Sequence, residues 1–216
     1  MIHQRTKDLI FNGIRIITKM LRPYYSIKFH SSDNLCLHLG CGKNILEDFI
    51  NIDGNPLRKH ILFYDIRNKF PFKDNSVQYV YTSNVMEHFF SDEVPIIFKN
   101  VFQCMKRGGI LRIVVPDLEK SINAYVNHEP DFFTDYPRPY KSMGGRFSNF
   151  IFCDSQHRIT YDFSLMQELL TDAGFALSNI KKMDYGVSDL PSEIFHNIKP
   201  FEEHHANMNL YVEVKR

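Results

Sequence analysis

The sequence predicts an α/β domain in which a mostly parallel sheet carries helices on both faces, and three observations predict it. Short apolar runs alternate with longer segments from residue 35 to the C-terminus. The middle runs are rich in Val, Ile and Tyr without strict alternation, which is typical of strands buried on both faces. Helix-like segments separate several of these runs. Strands that alternate with helices indicate βα units, and hence a parallel sheet.

The individual elements follow in a regular order along the chain. The strand-like runs read LCLHL, DFINID, HILFYDI, VQYVYTS, ILRIVV, ALSNIKKMD and LYVEVK. Helices are predicted over residues 93–105, before an Arg-Gly-Gly stop, and over residues 164–173, before Gly174. Fewer than ten residues separate Gly42 from the second run, which is too short for a crossover helix. That connection is therefore predicted to be a turn.

The first 30 residues are predicted to form an N-terminal helical segment that packs on its own domain. Residues 6–21 show a helical period, and Pro23 is predicted to end the helix. The apolar positions of this helix fall on one face and comprise Leu9, Ile10, Gly13, Ile14, Ile17 and Leu21. Alternatively, such a helix could lie on a membrane or on a partner instead of on its own domain.

Residues 117–160 interrupt the strand-helix rhythm with a segment that is dense in Tyr, Phe and Pro. Segments of this length without a strand of their own are usually lids or binding walls in compact domains. We therefore expect an aromatic-rich insertion that forms a lid over an acceptor, within a single domain that spans residues 1–216.

Composition excludes several classes of function. Of the 216 residues, 44% are hydrophobic and 24% are charged, as in an ordinary globular domain. A net charge of +1 gives no electrostatic reason to expect nucleic acid as a partner. The four cysteines lack CxxC spacing, which argues against a disulfide framework or a structural metal. No apolar run reaches the roughly 18 residues of a membrane span, and no signal peptide is evident, so a cytoplasmic protein is expected.

The run LHLGCG ends a predicted strand in a glycine turn, and two acids follow at the ends of the next strands. Gly40 and Gly42 allow a sharp turn and a close approach of the backbone to a ligand. Asp53 ends the second run, where a carboxylate can accept hydrogen bonds from both ribose hydroxyls. Asp65 ends the third run. In a parallel sheet, these carboxyl ends form the ligand crevice.

The spacing of these residues argues against a dinucleotide. The dinucleotide fingerprint has three glycines and an acid about 20 residues further on. Here Ile45 stands at the third glycine position, and Asp53 follows Gly40 by 13 residues. A pyrophosphate also needs the N-terminus of a full helix, which the short connection does not provide. A nucleoside cofactor without phosphates fits better, and a nicotinamide-dependent dehydrogenase is disfavoured.

These motifs together resemble a known family. The stretches LHLGCG, INIDGNP, FPFKDNSVQYVYTSNVMEHF, MKRGGILRIVVPDLEK and DFSLMQELLTDAGF are similar to those of class I S-adenosylmethionine-dependent methyltransferases. The resemblance is closest to the small type 11 relatives that are often linked to glycan and polysaccharide biosynthesis. It covers residues 35–175 in order, and it implies a Rossmann-like seven-stranded sheet of order 3-2-1-4-5-7-6.

The resemblance also implies a cofactor site for S-adenosyl-L-methionine. The methionine part would contact the turn after the first strand, Asp53 would bind the ribose, and Asp65 with Ile66 would bound the adenine. The expected cofactor-binding residues are Leu39, Gly40, Cys41, Gly42, Asp53, Asp65, Ile66, Ser83 and Asn84. Two positions depart from the broader class: Asn44 stands where a third glycine would fall, and His38 replaces the acid common before the first glycine.

Methyl transfer to a hydroxyl needs alignment of the reactants and a base that accepts the proton. Histidine titrates nearest to neutrality, so the histidines are the candidates for this base. His157 lies at the end of the aromatic insertion, and His88 follows the fourth strand-like run. We expect His157, and second His88, to be catalytic. No metal is expected, since no spacing among Asp154, His157 and Asp162 is that of a known metal motif.

The predicted function is therefore O-methylation of a sugar or glycan hydroxyl, with a small-molecule or glycan acceptor as the partner. Arg138, Lys141 and Arg146 are candidates to bind a phosphate or carboxylate on that acceptor. Two alternatives remain open at this point. One is a methyltransferase that acts on a non-carbohydrate metabolite, and the other is a module that binds S-adenosylmethionine without turnover.

Overall fold

A computed structural model describes residues 4–216, with the exception of the side chains of Arg5 and His204. These residues form a seven-stranded sheet of order β3-β2-β1-β4-β5-β7-β6, which confirms the predicted fold class and strand order. The strands are β1 (Leu35–Leu39), β2 (Ile50–Asp53), β3 (Leu62–Phe63), β4 (Val77–Ser83), β5 (Met105–Pro116), β6 (Ile180–Met183) and β7 (Asn209–Lys215). β7 runs antiparallel to both of its neighbours, and the other pairs are parallel.

Helices cover both faces of this sheet. They are α1 (Gln4–Lys28), α2 (Val94–Cys104), α3 (Leu118–Val126), α4 (Met143–Phe152), α5 (Phe163–Ala173) and α6 (Ser192–Glu202). Short 3-10 segments lie at Met86–His88, Pro130–Phe132, Leu177–Asn179 and Glu203–Met208. Neighbouring residues of one strand point to opposite faces, so Val80 packs in the core beneath α2 and α5, while Tyr81 packs in the core beneath α6.

Strand register brings the predicted ligand-binding ends together. Leu39 of β1 pairs with Ile52 of β2 on one side and with Thr82 of β4 on the other. Asp53 pairs in turn with Phe63 of β3. Because these strands are parallel and in step, the residues that follow them lie along one edge of the sheet. As predicted, the β1–β2 connection contains turns and no helix.

The glycines predicted to stop the second helix instead lie inside a strand. α2 ends at Cys104, and β5 begins at Met105 and runs through Gly108 and Gly109. A Cβ on Gly109 would lie 2.7 Å from the carbonyl oxygen of Gln78 on β4. The β4–β5 register shifts at this point, so the glycines allow a bulge and a close approach of two backbones. By contrast, α5 does end before Gly174, whose φ is +115°.

Two predictions about the N-terminal helix are wrong. α1 continues through Pro23 to Lys28, because side chains on both sides of the proline pack on the domain: Thr18 is fully buried, and the ring of Tyr25 contacts that of Tyr64. The helix also turns a different face inward from the one predicted, and Leu9 is 74% exposed. Residues 1–3 of the predicted helical segment lie outside the described residues. Among residues 4–216, no helix is both long and apolar enough to cross a membrane.

Candidate functional site

The turn after β1 has the backbone conformation that its glycines predict. Gly40 and Gly42 have φ of +65° and +55°, in the left-handed region that favours glycine. A Cβ on Gly40 would lie 2.5 Å from a methyl group of Val85, which follows β4. The backbone N–H of Cys41 donates to the carbonyl of Ile52 at 3.0 Å, which ties the turn to β2. The turn therefore lies tightly against the ends of both neighbouring strands.

Asp53 fixes this turn through its carboxylate. Its Oδ2 accepts the backbone N–H of Gly42 at 2.8 Å, and its Oδ1 accepts the backbone N–H of Asn55 at 2.7 Å. A carboxylate has about four acceptor positions, so one on each oxygen remains. The side chain is only half-buried and can present those positions to hydroxyl donors. The geometry fits the predicted contact with a ribose.

Asp65 has a partner that the sequence reasoning missed. Its carboxylate is buried and pairs with the guanidinium of Arg67 at 2.6 Å, and Arg67 pairs with Glu93 at 2.8 Å. The backbone N–H of Asp65 also approaches the hydroxyl of Thr18 on α1 at 3.3 Å. Asp65 thus anchors α1 and the start of α2. An Arg two residues after an acid was the available signal for this pair.

The remaining predicted cofactor residues divide by exposure. Leu39 and Ile66 are buried in the core, so a ligand would meet them through their backbone. Ser83 ends β4 half-buried, and Asn84 is exposed with a φ of +53°. The amide of Asn84 donates to the hydroxyl of Ser83 at 3.2 Å. Both lie beside the glycine turn, as the register of β1 and β4 requires.

Cys41 is expected to tolerate substitution. Burial and the nearby carboxylate of Asp53 raise the pKa of its thiol to about 12, so the thiol is neutral and a poor nucleophile at pH 7. The side chain is 3% exposed and fits between the two glycines. Cys41→Ser and Cys41→Ala should keep the turnover number within about threefold of the wild type. A steady-state assay checks this, and complete loss of activity in a folded variant would contradict it.

The structure brings His88 and His157 together. Their ring centroids lie 5.1 Å apart in an edge-to-face arrangement. The Nδ1 of His88 lies 3.1 Å from the carbonyl oxygen of Gln156, and the backbone N–H of Arg158 donates to the carbonyl of Glu87 at 2.7 Å. These contacts attach the end of the insertion to the 3-10 turn after β4. The two predicted catalytic residues therefore lie beyond the carboxyl end of a strand that borders the glycine turn.

Glu87 completes a three-residue cluster with these histidines, and sequence reasoning missed it. One ligand atom from each of Glu87, His88 and His157 lies within 4.8 Å of the other two. Glu87 is 2% exposed, and its Oε2 has no hydrogen-bond partner within the described residues. Glu87 and His157 line a cavity of about 10 Å³, room for one water. Two imidazoles and a carboxylate can also hold a divalent ion. The absence of a metal stays a prediction.

Burial shifts the titration of all three groups. Desolvation raises the pKa of Glu87 to about 8. The pKa of His157 is lowered to about 4, mainly by desolvation and to a smaller extent by the neighbouring His88. Desolvation also lowers the pKa of His88, while its contact with the Gln156 carbonyl opposes the shift. At neutral pH both imidazoles are therefore unprotonated and able to accept a proton, and the carboxyl group holds one.

Replacing Glu87 should change the pH dependence of folding stability. The folded pKa of about 8 exceeds the ordinary value of 4.5, so the folded state binds the proton more tightly than the unfolded state. The stabilisation of the folded state by this bound proton is fully present below pH 4.5 and is lost as the pH rises towards 8. Its ceiling is on the order of 5 kcal/mol. Glu87→Gln should therefore raise the Tm more at pH 8 than at pH 5, in thermal unfolding followed by circular dichroism. An equal change in Tm at both values would contradict the shift.

The insertion forms two helices around an aromatic cluster. Phe133 is 3% exposed, and its ring contacts those of Phe132, Phe147 and Phe150. Two of the cations predicted to bind an acceptor are already paired: Arg138 with Asp154 at 3.0 Å, and Arg146 with Asp135 at 3.4 Å.

A groove of about 650 Å³ lies between the insertion and the segment before β7. It is lined by His128, Glu129, Pro130, Asp131, Phe132, Asn207 and Met208. The backbone N–H of Asp117, directly after β5, donates to the carbonyl of Met208 at 2.9 Å. The groove therefore lies near the carboxyl end of β5, on the edge of the sheet that also carries the glycine turn.

Comparison with known proteins finds similarity to methyltransferases. Residues 45–113 match the family described as "Methyltransferase domain". No curated protein matches the chain. Among solved structures, a SAM-dependent methyltransferase from Archaeoglobus fulgidus has a TM-score of 0.51 at 15% identity, with 94% of each chain covered. An S-adenosylmethionine-dependent methyltransferase from Mesorhizobium loti has a TM-score of 0.48 at 16% identity, with 86% of this chain and 92% of that chain covered.

The first of these structures is similar in fold, and the match over residues 45–113 begins just after the glycine turn and ends within β5. That match supports an enzyme of the methyltransferase type with S-adenosylmethionine as its cofactor, as predicted from the sequence.

Proposed function

We propose that this chain transfers a methyl group from S-adenosylmethionine to a hydroxyl of a sugar or glycan, with His157 as the general base. The observation that carries the proposal is the position of the histidines relative to the glycine turn. The turn follows β1 and Asp53 ends β2, and the cluster of Glu87, His88 and His157 lies beyond the end of β4 on the same edge. A donor held at the turn and a base in the cluster would face one crevice.

The residues of this chain would have the following roles. Asp53 binds the two ribose hydroxyls, and the turn at Gly40 holds the methionine part against the ends of β1 and β4. S-adenosylmethionine would supply a methyl group on a sulfonium, which needs no further activation, and the bonding electron pair would leave with the sulfur. His157 would accept the proton of the acceptor hydroxyl. Alignment of the reacting atoms provides much of the acceleration in such a displacement.

Two features of the groove support a hydroxyl-rich acceptor. Glu129, Asp131 and Asn207 offer oxygen atoms that accept hydrogen bonds from hydroxyl groups, and Phe132 offers an aromatic surface. The pairing of Arg138 and Arg146 with acids leaves less positive charge for a phosphate or a carboxylate than the sequence suggests. We therefore favour a neutral sugar over a phosphorylated acceptor.

A screen for release of S-adenosylhomocysteine tests the proposal. The purified protein is incubated with S-adenosylmethionine and either short glycans and nucleotide sugars, or phenolic and aliphatic alcohols of metabolites. We expect release with a glycan acceptor, unchanged by EDTA. Release only with non-carbohydrate hydroxyls would contradict the acceptor class, and a requirement for added metal would contradict the histidine base. Binding of S-adenosylmethionine without release in any reaction would indicate a module without turnover.

A further inference from the structure

The outward face of α1 carries a stripe of exposed apolar side chains. Leu9, Met20 and Ile27 are 74%, 76% and 78% exposed. Ile16 is 65% exposed on the same side, and a Cβ on Gly13 would meet no atom within 4 Å. These positions recur at helical spacing over most of the 25 residues of α1, a length of about 37 Å. Exposed apolar stripes of this extent are usually interaction surfaces.

The opposite face of α1 is firmly attached to the domain, so the exposed stripe is a fixed feature. Ile14 and Thr18 are buried, and the Thr18 hydroxyl accepts a hydrogen bond from the Asn68 side-chain amide at 3.0 Å. The guanidinium of Arg67 donates to the carbonyl of Phe11 at 3.1 Å. Rotating α1 to bury its stripe would break these contacts.

Charge is unevenly divided between α1 and the rest of the chain. α1 contains six basic residues and one acid, Asp8, for a net charge of +5, whereas the whole chain carries +1. The carboxylate of Asp8 is itself paired with Arg158 at 2.8 Å. At 100° per residue, Lys19 and Lys28 fall on the two flanks of the stripe. An apolar stripe with basic flanks is the pattern of helices that lie in the interface of anionic membranes.

Charge also decides between a membrane and a second copy of the chain. Lys19 and Lys28 flank the stripe, so a symmetric dimer through this face would bring basic flanks together, and such like-charge contacts are unfavourable. Anionic phospholipid headgroups complement these basic flanks. We propose that the exposed stripe of α1 docks this protein onto an anionic phospholipid bilayer, with α1 parallel to the membrane plane.

Cosedimentation with lipid vesicles tests this proposal. The full chain is mixed with vesicles of phosphatidylcholine alone or with about 30% phosphatidylserine. We expect binding to the anionic vesicles to be at least about tenfold tighter, and to weaken as salt is added. A triple variant, Leu9→Gln with Met20→Gln and Ile27→Gln, should lose at least about tenfold of that binding. All three side chains are exposed, so the variant should keep the wild-type Tm.

A second triple variant provides the matched control. Ile122→Gln, Val126→Gln and Leu177→Gln replace three exposed apolar side chains that lie outside α1, and this protein should bind vesicles as the wild type does. Failure of the wild type to bind either vesicle would overturn the proposal. So would equal binding to both vesicles, or wild-type binding by the α1 variant. A wild-type dimer that the α1 variant converts to a monomer would assign the face to a second copy instead.

Discussion

Replacing His157 with alanine should lower the turnover number by about 100-fold to 10,000-fold, the range that general acid–base catalysis contributes. The imidazole is the group that we propose accepts the hydroxyl proton, and alanine leaves no substitute at that position. His157 lies in the cluster beyond β4, whereas the glycine turn follows β1 and Asp53 ends β2. The affinity for S-adenosylmethionine should therefore change by less than about threefold. Steady-state turnover and calorimetric titration of the same preparation separate the two effects.

His196→Ala is the matched control for this experiment. His196 is exposed on α6, on the far side of the sheet from α2 and α5, and its loss should leave turnover unaltered. Unaltered turnover in His157→Ala, measured with the true acceptor, would remove His157 from the role of base. An equal loss in both variants would show that the effect is not specific to the cluster.

The pH dependence of turnover should follow the ionisation of Glu87. His157, with a pKa of about 4, is already neutral throughout the physiological range, so its own titration lies below that range. Ionisation of Glu87, with a pKa of about 8, places a carboxylate beside the imidazole and stabilises the imidazolium that forms in the reaction. Turnover should rise with pH through about 8, and Glu87→Gln should remove that rise. A profile that is the same in both proteins would contradict the coupling.

Replacing Asp53 with alanine should weaken the binding of S-adenosylmethionine by about 100-fold or more. Hydrogen bonds to a charged group contribute about 1.5–3 kcal/mol each, and the proposed contact makes two of them with the ribose. The variant also leaves the N–H of Gly42 without its present acceptor, which loosens the turn. Calorimetric titration with S-adenosylhomocysteine measures the change, and circular dichroism at the titration temperature establishes that the variant is folded.

Two further variants make the Asp53 result specific. Asp53→Asn keeps an oxygen acceptor for one backbone N–H but removes the charge, so its affinity should fall between those of the wild type and of Asp53→Ala. Asp172→Ala removes an exposed acid of α5 and should bind as the wild type does. Wild-type affinity in a folded Asp53→Ala protein would show that the ribose contact lies elsewhere.

The fold could be predicted from sequence because its strands carry strong local signals. The runs that became β1, β4 and β5 are buried on both faces, and such strands have near-continuous apolar sequence. The RGG sequence was misread because glycines can end a helix or form a bulge, and only the approach of Gly109 to the Gln78 carbonyl distinguishes the two. Pro23 was misread because packing of α1 on the domain outweighs the local preference of proline.

The site was predictable where its residues follow strands and was missed where they pair through space. Register alone brings the ends of β1, β2 and β4 together, so the turn at Gly40, Asp53 and Ser83 could be identified from their order. The ion pair of Asp65 with Arg67 and Glu93 joins residues up to 28 positions apart, and the burial of Glu87 depends on the folded insertion. The spacing of Asp65 and Arg67 is a local signal, but the pairing of Arg67 with Glu93 and the burial of Glu87 are not encoded in a local pattern.

The central claim is that the glycine turn and Asp53 form the binding site for S-adenosylmethionine. Hydrogen exchange of backbone amides, measured with and without saturating S-adenosylhomocysteine, tests it most directly because it locates the ligand without requiring an acceptor. Our account predicts binding, with slower exchange at residues 40–44 and 53–55 and smaller changes on α5. An absence of binding at millimolar concentration, or protection confined to segments away from the ends of β1 and β2, would contradict it.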